Sequence, residues 1–464
     1  MWKYLFFQLV LFFALVSQAQ LTKKIKDTAS TDGDDPMVVL PQLIRGPYLQ
    51  KASPENILIR WRTDALSRSR VMVGEDVHAL NSSFSDSSLV NEHKILLKNL
   101  KPLTKYYYSI GDMKNKLQGD SNNYFYTLPV AGTTGTWRIA AFGDCGNNSV
   151  NQRNVRDQML KYLGANYLNA WLLLGDNTYP DGTDAEFQAN FFNVYKDNLL
   201  KKYPLFPAPG NHDYHDIEFS AAVAQHTHGI AYYQNFSMPE DGKSGGVPSH
   251  SPAYYSFDIG NAHFLSLDSY GKQDSARMYD TLGPQARWVK RDLEKAKKAK
   301  WIIVYFHHPP FTMGSHNGDT EIELVKIREQ FIPILERYGV DLVLCGHSHD
   351  YERSGFIHGF YGKDSAFDGR RFNVSESSGK NDGSPNSLPY IKKTLRAKGT
   401  VYVVTGSAGK LGGMQTSFPH RAMYFSDAEH GGASLLEISG DKLDFKWICA
   451  DGVIRDQFTI VKQN

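Results

Sequence analysis

The chain has 464 residues, 41% of them hydrophobic and 22% charged, and its 51 Lys and Arg against 49 Asp and Glu leave a formal net charge of +2. With 13% aromatic residues and a mean hydropathy of -0.42, it has the apolar mass for packed cores, which excludes a disordered chain and a single small domain. The near-neutral balance supplies no global field to draw nucleic acid or an anionic membrane, so no nucleic-acid binding is expected.

Lys3 precedes an apolar run from Tyr4 to Val16, broken only by Gln8, and Ser17-Gln18-Ala19 resembles a small-x-small cleavage site. Residues 1–19 therefore read as a signal peptide, cleaved after Ala19, and predict export to the periplasm, the cell surface or the medium. The run is shorter than the roughly 20 apolar residues of a spanning helix, so no transmembrane anchor is expected. Residues 20–41, with Lys23-Lys24 and Thr31-Asp32-Gly33-Asp34-Asp35-Pro36, read as a linker. The 3 cysteines, Cys145, Cys345 and Cys449, are too few and scattered for a disulfide scaffold, and whether Cys145 and Cys345 pair is left open.

Residues 42–130 show short alternating stretches, Ile57-Leu58-Ile59-Arg60-Trp61, Val71-Met72-Val73 and Tyr106-Tyr107-Tyr108-Ser109-Ile110, separated by polar segments, the pattern of a β-sandwich. Leu100-Lys101-Pro102-Leu103-Thr104-Lys105-Tyr106 resembles the corner of fibronectin type III domains, where a tyrosine hydroxyl bonds back to nearby backbone. This part reads as a packing domain that positions its neighbour, with a binding module as the other reading.

From 136 to 464 the grammar is α/β. Apolar strands are expected at Trp137–Phe142, Trp171–Leu174, His263–Leu267, Trp301–Phe306 and Val340–Cys345, with later ones at Thr400–Thr405, Ala433–Ile438 and Leu443–Ile448. Val155, Met159 and Leu163 share a helical face; Pro284 suits the first turn of a helix to about Lys298; a helix from about Thr320 should kink at Pro333 and stop at Gly339.

Polar turns where α/β strands end are places for reactive groups, and here they are rich in O and N donors: Gly143-Asp144-Cys145-Gly146, Gly175-Asp176-Asn177-Thr178-Tyr179, Gly210-Asn211-His212-Asp213, the strand ending in His307, and Gly346-His347-Ser348-His349. Any one of them is an ordinary turn. Together they supply Asp144, Asp176, Tyr179, Asn211, His307, His347 and His349, more than one ion takes from protein but suited to two if a carboxylate bridges. Cys145 reads as a small space-filling residue, since a hard oxygen and nitrogen site has no need of a thiolate.

These strings resemble the signature of the calcineurin-like metallophosphoesterases. Tyr179, three residues after Asp176, is similar to the purple acid phosphatase branch, and Gly346 to Ser354 resembles the string around the last two histidine ligands of plant-type members. The resemblance implies a first ion, Fe(III), on Asp144, Asp176, Tyr179 and His349, and a second, Fe(II), Zn or Mn, on Asp176, Asn211, His307 and His347. It implies an acid phosphatase in which metal-bound hydroxide attacks phosphorus in line. His212 matches the family histidine that assists the leaving group, and His316 falls in a loop that carries further substrate-contacting histidines, although Met313-Gly314-Ser315 departs from the plant sequence. Asp213, His215 and His308 are candidates for orienting ligands. The substrate class is a small phosphate ester; a phosphodiesterase or nucleotide hydrolase with the same centre, and a surface-binding protein acting through the β-sandwich, are the alternatives. The segments Gly359–Lys398 and Gln234–Pro252 are expected to border the pocket, and nothing in the sequence sets the oligomeric state.

Overall fold

The computed structural model describes residues 41–215 and 220–463, so the expected signal peptide at 1–19, and the expected linker at 20–41 save for Pro41, lie outside the described residues. Six strands form the first sheet: β1 (Leu43–Gln50), β2 (Ile57–Gly74), β3 (Ser82–Leu97), β4 (Lys105–Gly111), β5 (Lys116–Gln118) and β6 (Tyr124–Tyr126). The two apolar stretches expected as separate strands, around Ile57 and Val71, belong to the one strand β2. It pairs with β3 along both halves, with β1 near its start and with β4 near its end, and the register shifts between Arg62 and Ser67. Hydrogen bonding thus joins all six strands in one sheet. The expected corner contact is present: Lys101 N donates to the Tyr106 hydroxyl at 3.0 Å.

Two seven-stranded sheets follow. Their strands are β7 (Thr136–Phe142), β8 (Ala170–Leu174), β9 (Leu205–Ala208), β10 (Tyr255–Ile259), β11 (Ala262–Ser266), β12 (Trp301–Tyr305), β13 (Leu342–Cys345), β14 (Tyr351–Ser354), β15 (Tyr390–Lys392), β16 (Val401–Thr405), β17 (Met423–Asp427), β18 (Gly432–Ser439), β19 (Lys442–Cys449) and β20 (Ile454–Lys462). One sheet has the order β10-β11-β12-β13-β16-β14-β17 and the other β15-β20-β19-β18-β7-β8-β9. The runs β7 to β9 and β11 to β13 to β16 are parallel, and their buried strands are apolar on both faces, as covered parallel sheets require.

The sheets are stitched face to face by polar groups: Tyr305 Oη donates to Phe206 O (3.1 Å), Tyr255 Oη to Pro207 O (2.8 Å) and Ser434 Oγ to Thr405 Oγ1 (3.0 Å). Helix α1 (Val150–Leu163) starts at Ser149, whose Oγ accepts from Gln152 N, and buries Val155, Met159 and Leu163 as its period demands. Helix α2 (Pro284–Lys295) carries its proline in the first turn, and a tighter turn continues it to Lys298. The helix before β13 runs over 322–337 and widens by one residue per turn at Ile327–Phe331, so Pro333 falls in the first turn of the following segment, where its missing N–H is tolerated. Gly339, at φ +68°, ends it. All three cysteines are buried and free, which answers the question left open for Cys145 and Cys345.

Arg353 on β14 and Asp456 on β20 form a fully buried ion pair between the two sheets, Nε to Oδ2 at 2.5 Å and Nη2 to Oδ1 at 2.9 Å, and Tyr351 Oη donates to the same carboxylate. Removing one partner leaves an uncompensated interior charge. Asp456→Ala should therefore destabilise the chain by about 3–5 kcal/mol, read as a lower urea midpoint; a midpoint equal to that of the unsubstituted chain would show the pair to be dispensable.

Candidate metal centre

Asp144 follows β7, Asp176 and Tyr179 follow β8, Asn211 follows β9, His307 follows β12, and His347 and His349 follow β13. Five strand ends thus converge on one point. The close approach requires glycine: a Cβ on Gly210 would meet Asp176 Oδ1 at 2.2 Å, and one on Gly175, which sits at φ +90°, would meet His307 Nδ1 at 2.5 Å. Asp144, Asp176 and His347 themselves occupy the left-handed region, with φ of 56°, 49° and 70°. Such strain is retained where the surroundings over-determine it, as at functional sites.

The donors fall into two groups. In the first, Tyr179 Oη donates to Asp144 Oδ1 at 2.8 Å and lies 3.4 Å from His349 Nε2, which is 3.6 Å from Asp144 Oδ1. In the second, Asn211 Oδ1 lies 3.1 Å from both His307 Nε2 and His347 Nδ1, and Asp176 Oδ1 is 3.2 Å from His307 Nε2. Asp144, Asp176 and His307 offer atoms within 4.8 Å of one another, so Asp176 stands between the groups. Ligands at about 2.1 Å from an ion at right angles to one another are roughly 3 Å apart. The spacing within each group matches, so the residues fit two cations.

The titration behaviour agrees. Asp144 and Asp176 are 0% and 1% exposed. Burial pushes the Asp144 carboxyl well up, and the neighbouring Asp176 charge adds to the effect against the pull of His307. Burial acts the same way on Asp176, but His307, His212 and His347 outweigh it and hold that carboxyl below the usual range. Burial would likewise lower His307, yet Asp176 and Asp144 raise it to about 9. His347 and His349 are pushed down to about 3 by burial, hence neutral and able to ligate.

A second layer fixes these groups. His307 Nδ1 donates to Leu174 O (2.9 Å), which turns Nε2 toward the centre. His347 N donates to Asp144 Oδ2 (2.9 Å) and His212 N to Asp176 Oδ1 (2.8 Å). Buried Asp213 ties two ligand loops together, accepting from Gly210 N and from Asn177 N and Nδ2. His308 is held by Ser269 Oγ with its ring 4.2 Å from His347, and exposed His215 lies beside His212. Both sequence-predicted catalytic histidines are at the rim. His212 Nδ1 bonds Pro180 O at 2.6 Å, leaving Nε2 3.9 Å from Asp176 Oδ2. His316 stacks on His347 at 3.7 Å and bonds Glu321 through Nδ1 at 2.9 Å.

Glu321 is a residue that sequence reasoning missed. Its Oε2 lies 3.5 Å from His347 Nε2 as well as bonding His316, and its Oε1 accepts from Asn317 N. Glu352 and the 406–415 loop were also missed. Glu352 Oε1 accepts from Thr312 Oγ1, Met313 N and Gly314 N, which fixes the loop that carries His316. The segments touching the ligand loops are thus 312–321 and 406–415, whereas Gln234–Pro252 packs on the first sheet through Gln234 O and Ser237.

Residues 138–351 match the family model of the calcineurin-like phosphoesterases. Among similar proteins, purple acid phosphatase 15 of Arabidopsis thaliana is 30% identical over 287 residues, 58% of this chain and 50% of the relative. Acid phosphatase type 7 of Mus musculus is 26% identical over 403 residues, 80% of this chain and 78% of the relative. The chain thus spans about half the length of the Arabidopsis relative. A purple acid phosphatase from yellow lupin (Lupinus luteus) seeds shares the fold over 91% of this chain and 74% of its own, with TM-score 0.66 at 18% identity. The structure titled PhoD does so over 92% of both chains, with TM-score 0.64 at 13% identity. Residues 138–351 are therefore a calcineurin-like phosphoesterase domain, and the chain is a homologue of the purple acid phosphatases.

Because Glu321 takes the proton-bearing Nε2 of His347 and so leaves Nδ1 facing Asn211, Glu321→Gln should weaken binding of a divalent ion about 10-fold or more. Calorimetric titration of Zn or Mn into the metal-free chain checks this, and unchanged affinity would remove Glu321 from the support of the site.

Proposed function

We propose that the chain is an exported, dinuclear metal-dependent hydrolase of phosphate monoesters, an acid phosphatase. The observation that carries the reading is the pair of donor groups joined at Asp176, each with the spacing of ligands about one ion. In it Asp144, Asp176, Tyr179 and His349 hold Fe(III), and Asp176, Asn211, His307 and His347 hold Fe(II), Zn or Mn. The donor types support the asymmetry: carboxylate and phenolate suit a trivalent ion, whereas neutral imidazole and amide oxygen suit a divalent one.

When bound, the two cations supply charge neutralisation for the phosphoryl oxygens and ionise water at low pH. The chain's own residues do the rest. Asp144 and Asp176 would hold the cations, and glycines at 175 and 210 let the ligand loops pack this closely. His212, anchored through Nδ1 to Pro180 O, presents Nε2 to the centre and delivers a proton to the departing oxygen. His316, backed by Glu321, offers a further donor from the opposite loop. No helix among the described residues is long and apolar enough to cross a membrane, and residues 42–130 act in this reading as a support for the catalytic part at 136–464.

The chain from residue 20 onward, loaded with iron plus zinc or manganese, should hydrolyse an aryl phosphate monoester faster than the matching diester, and faster at pH 5 than at pH 9. Asp176→Asn should lower that rate at least about 1,000-fold, since it removes the shared anionic ligand. Diester preference would convert the assignment to a phosphodiesterase, a maximum only above pH 8 would exclude the ferric ion, and full activity of Asp176→Asn would exclude the mechanism.

A further inference from the structure

The loop after β16 runs along the centre and is tied to it by main chain. Lys410 N donates to Asp144 O (2.9 Å), Gly412 N to His349 O (3.1 Å) and Gln415 N to Met313 O (3.0 Å). Ser149 Oγ and Asn151 Nδ2 both donate to Gly409 O at 3.1 Å. Two glycines let it press this close: a Cβ on Gly406 would lie 2.1 Å from Ser348 O, and one on Gly409 would lie 2.8 Å from Cys145 backbone. The backbone of Lys410 is therefore tied directly to the loop that carries Asp144.

From this fixed base the Lys410 side chain extends over the face of Tyr179, with Nζ 5.0 Å from the ring centroid, while the side chain remains exposed. Among the described residues no carboxylate lies within ion-pair distance of Nζ, and it makes no hydrogen bond to any donor of the centre. The ammonium is thus offset from the atoms that would hold the ions, over the ring that bears one of them. His212 packs on the same Tyr179 ring at 4.6 Å. An uncommitted cation beside an anion-binding centre attracts negative charge that the centre itself does not neutralise.

We propose that Lys410 is a specificity-determining residue that receives the second anionic group of substrates in which another phosphoryl group is bonded to the scissile one, as in a nucleoside diphosphate. The inference rests on the phosphatase reading, because it places the scissile phosphoryl between the two donor groups. The position of Nζ over the Tyr179 ring assigns the distal phosphate to the rim beside Lys410. An arginine in its place would keep the charge, whereas methionine would keep the stem and lose the charge.

The test compares kcat/KM for a nucleoside diphosphate and for phenyl phosphate in the unsubstituted chain, Lys410→Met and Lys410→Arg. Lys410→Met should lower the diphosphate-to-phenyl-phosphate ratio about fivefold, mainly through KM, with the gap closing at high salt, and Lys410→Arg should restore it. Calorimetric binding of pyrophosphate against orthophosphate to the metal-loaded chain is the second readout, and the same substitution should cost pyrophosphate about fivefold more than orthophosphate. Equal losses for both anions, or none, would overturn the proposal. A chain that turns over neither ester but shows the pyrophosphate effect would overturn the phosphatase reading and leave the anion site standing.

Discussion

Two aspartates buried within reach of each other set the terms for the rest of the molecule. Asp144 and Asp176 are essentially without solvent, and each unpaired interior charge costs several kcal/mol. Burial pushes the Asp144 carboxyl up, and the two carboxylates raise His307 to about 9 against its own burial. Cations held by these side chains would offset that charge better, because they would allow both carboxylates and the Tyr179 phenol to ionise together. The site is therefore arranged for positive charge before any consideration of what it hydrolyses.

That demand reaches into the backbone. Donors for two ions would have to come from several strand ends at once, since no single loop can surround both, and parallel strands deliver their ends on one side of the sheets. The loops must then pack against each other's side chains, which excludes Cβ atoms at Gly175 and Gly210 and forces left-handed conformations on three of the ligands. Strain of that kind persists only if neighbouring contacts fix it. Asp213, Glu321 and Glu352 do this by joining loops that are far apart in sequence.

The donor strings were legible because their chemistry is unusual for turns: carboxylate, phenol, amide and imidazole in glycine-bounded loops after apolar runs have few other uses. Other features gave no such signal. β9 escaped notice because Leu205-Phe206-Pro207-Ala208 contains proline, which is tolerated there at the sheet edge while its carbonyl serves three hydroxyl donors. The continuity of β2 was hidden because its middle buries Thr63 and Ser69 instead of apolar residues; both bond to His93, whose ring they grip from either side. Glu321 looked like an ordinary acidic residue at a helix start, and its role depends on where His316 and His347 come to lie. Lys410 had no motif at all, since its partner is the face of a ring contributed by a loop distant in sequence.

The first sheet is joined to the phosphoesterase part by buried arginines. Arg45, with its side chain fully buried, bonds Gln188, Asp184 and Asn235; Arg62 shares Asp184; Arg60 reaches Gln234 O and Ser237. Tyr48 Oη and Tyr108 Oη add bonds to Asn235 O and Lys201 O. A guanidinium can be buried only if its partners are fixed, so this contact is a committed interface and not a tether between independent modules. Asp184 begins the helical segment that follows Tyr179 and Pro180, and Asn235 closes a short helix further along the chain, at Ala231–Asn235. The sheet therefore braces the chain segment leading away from Tyr179.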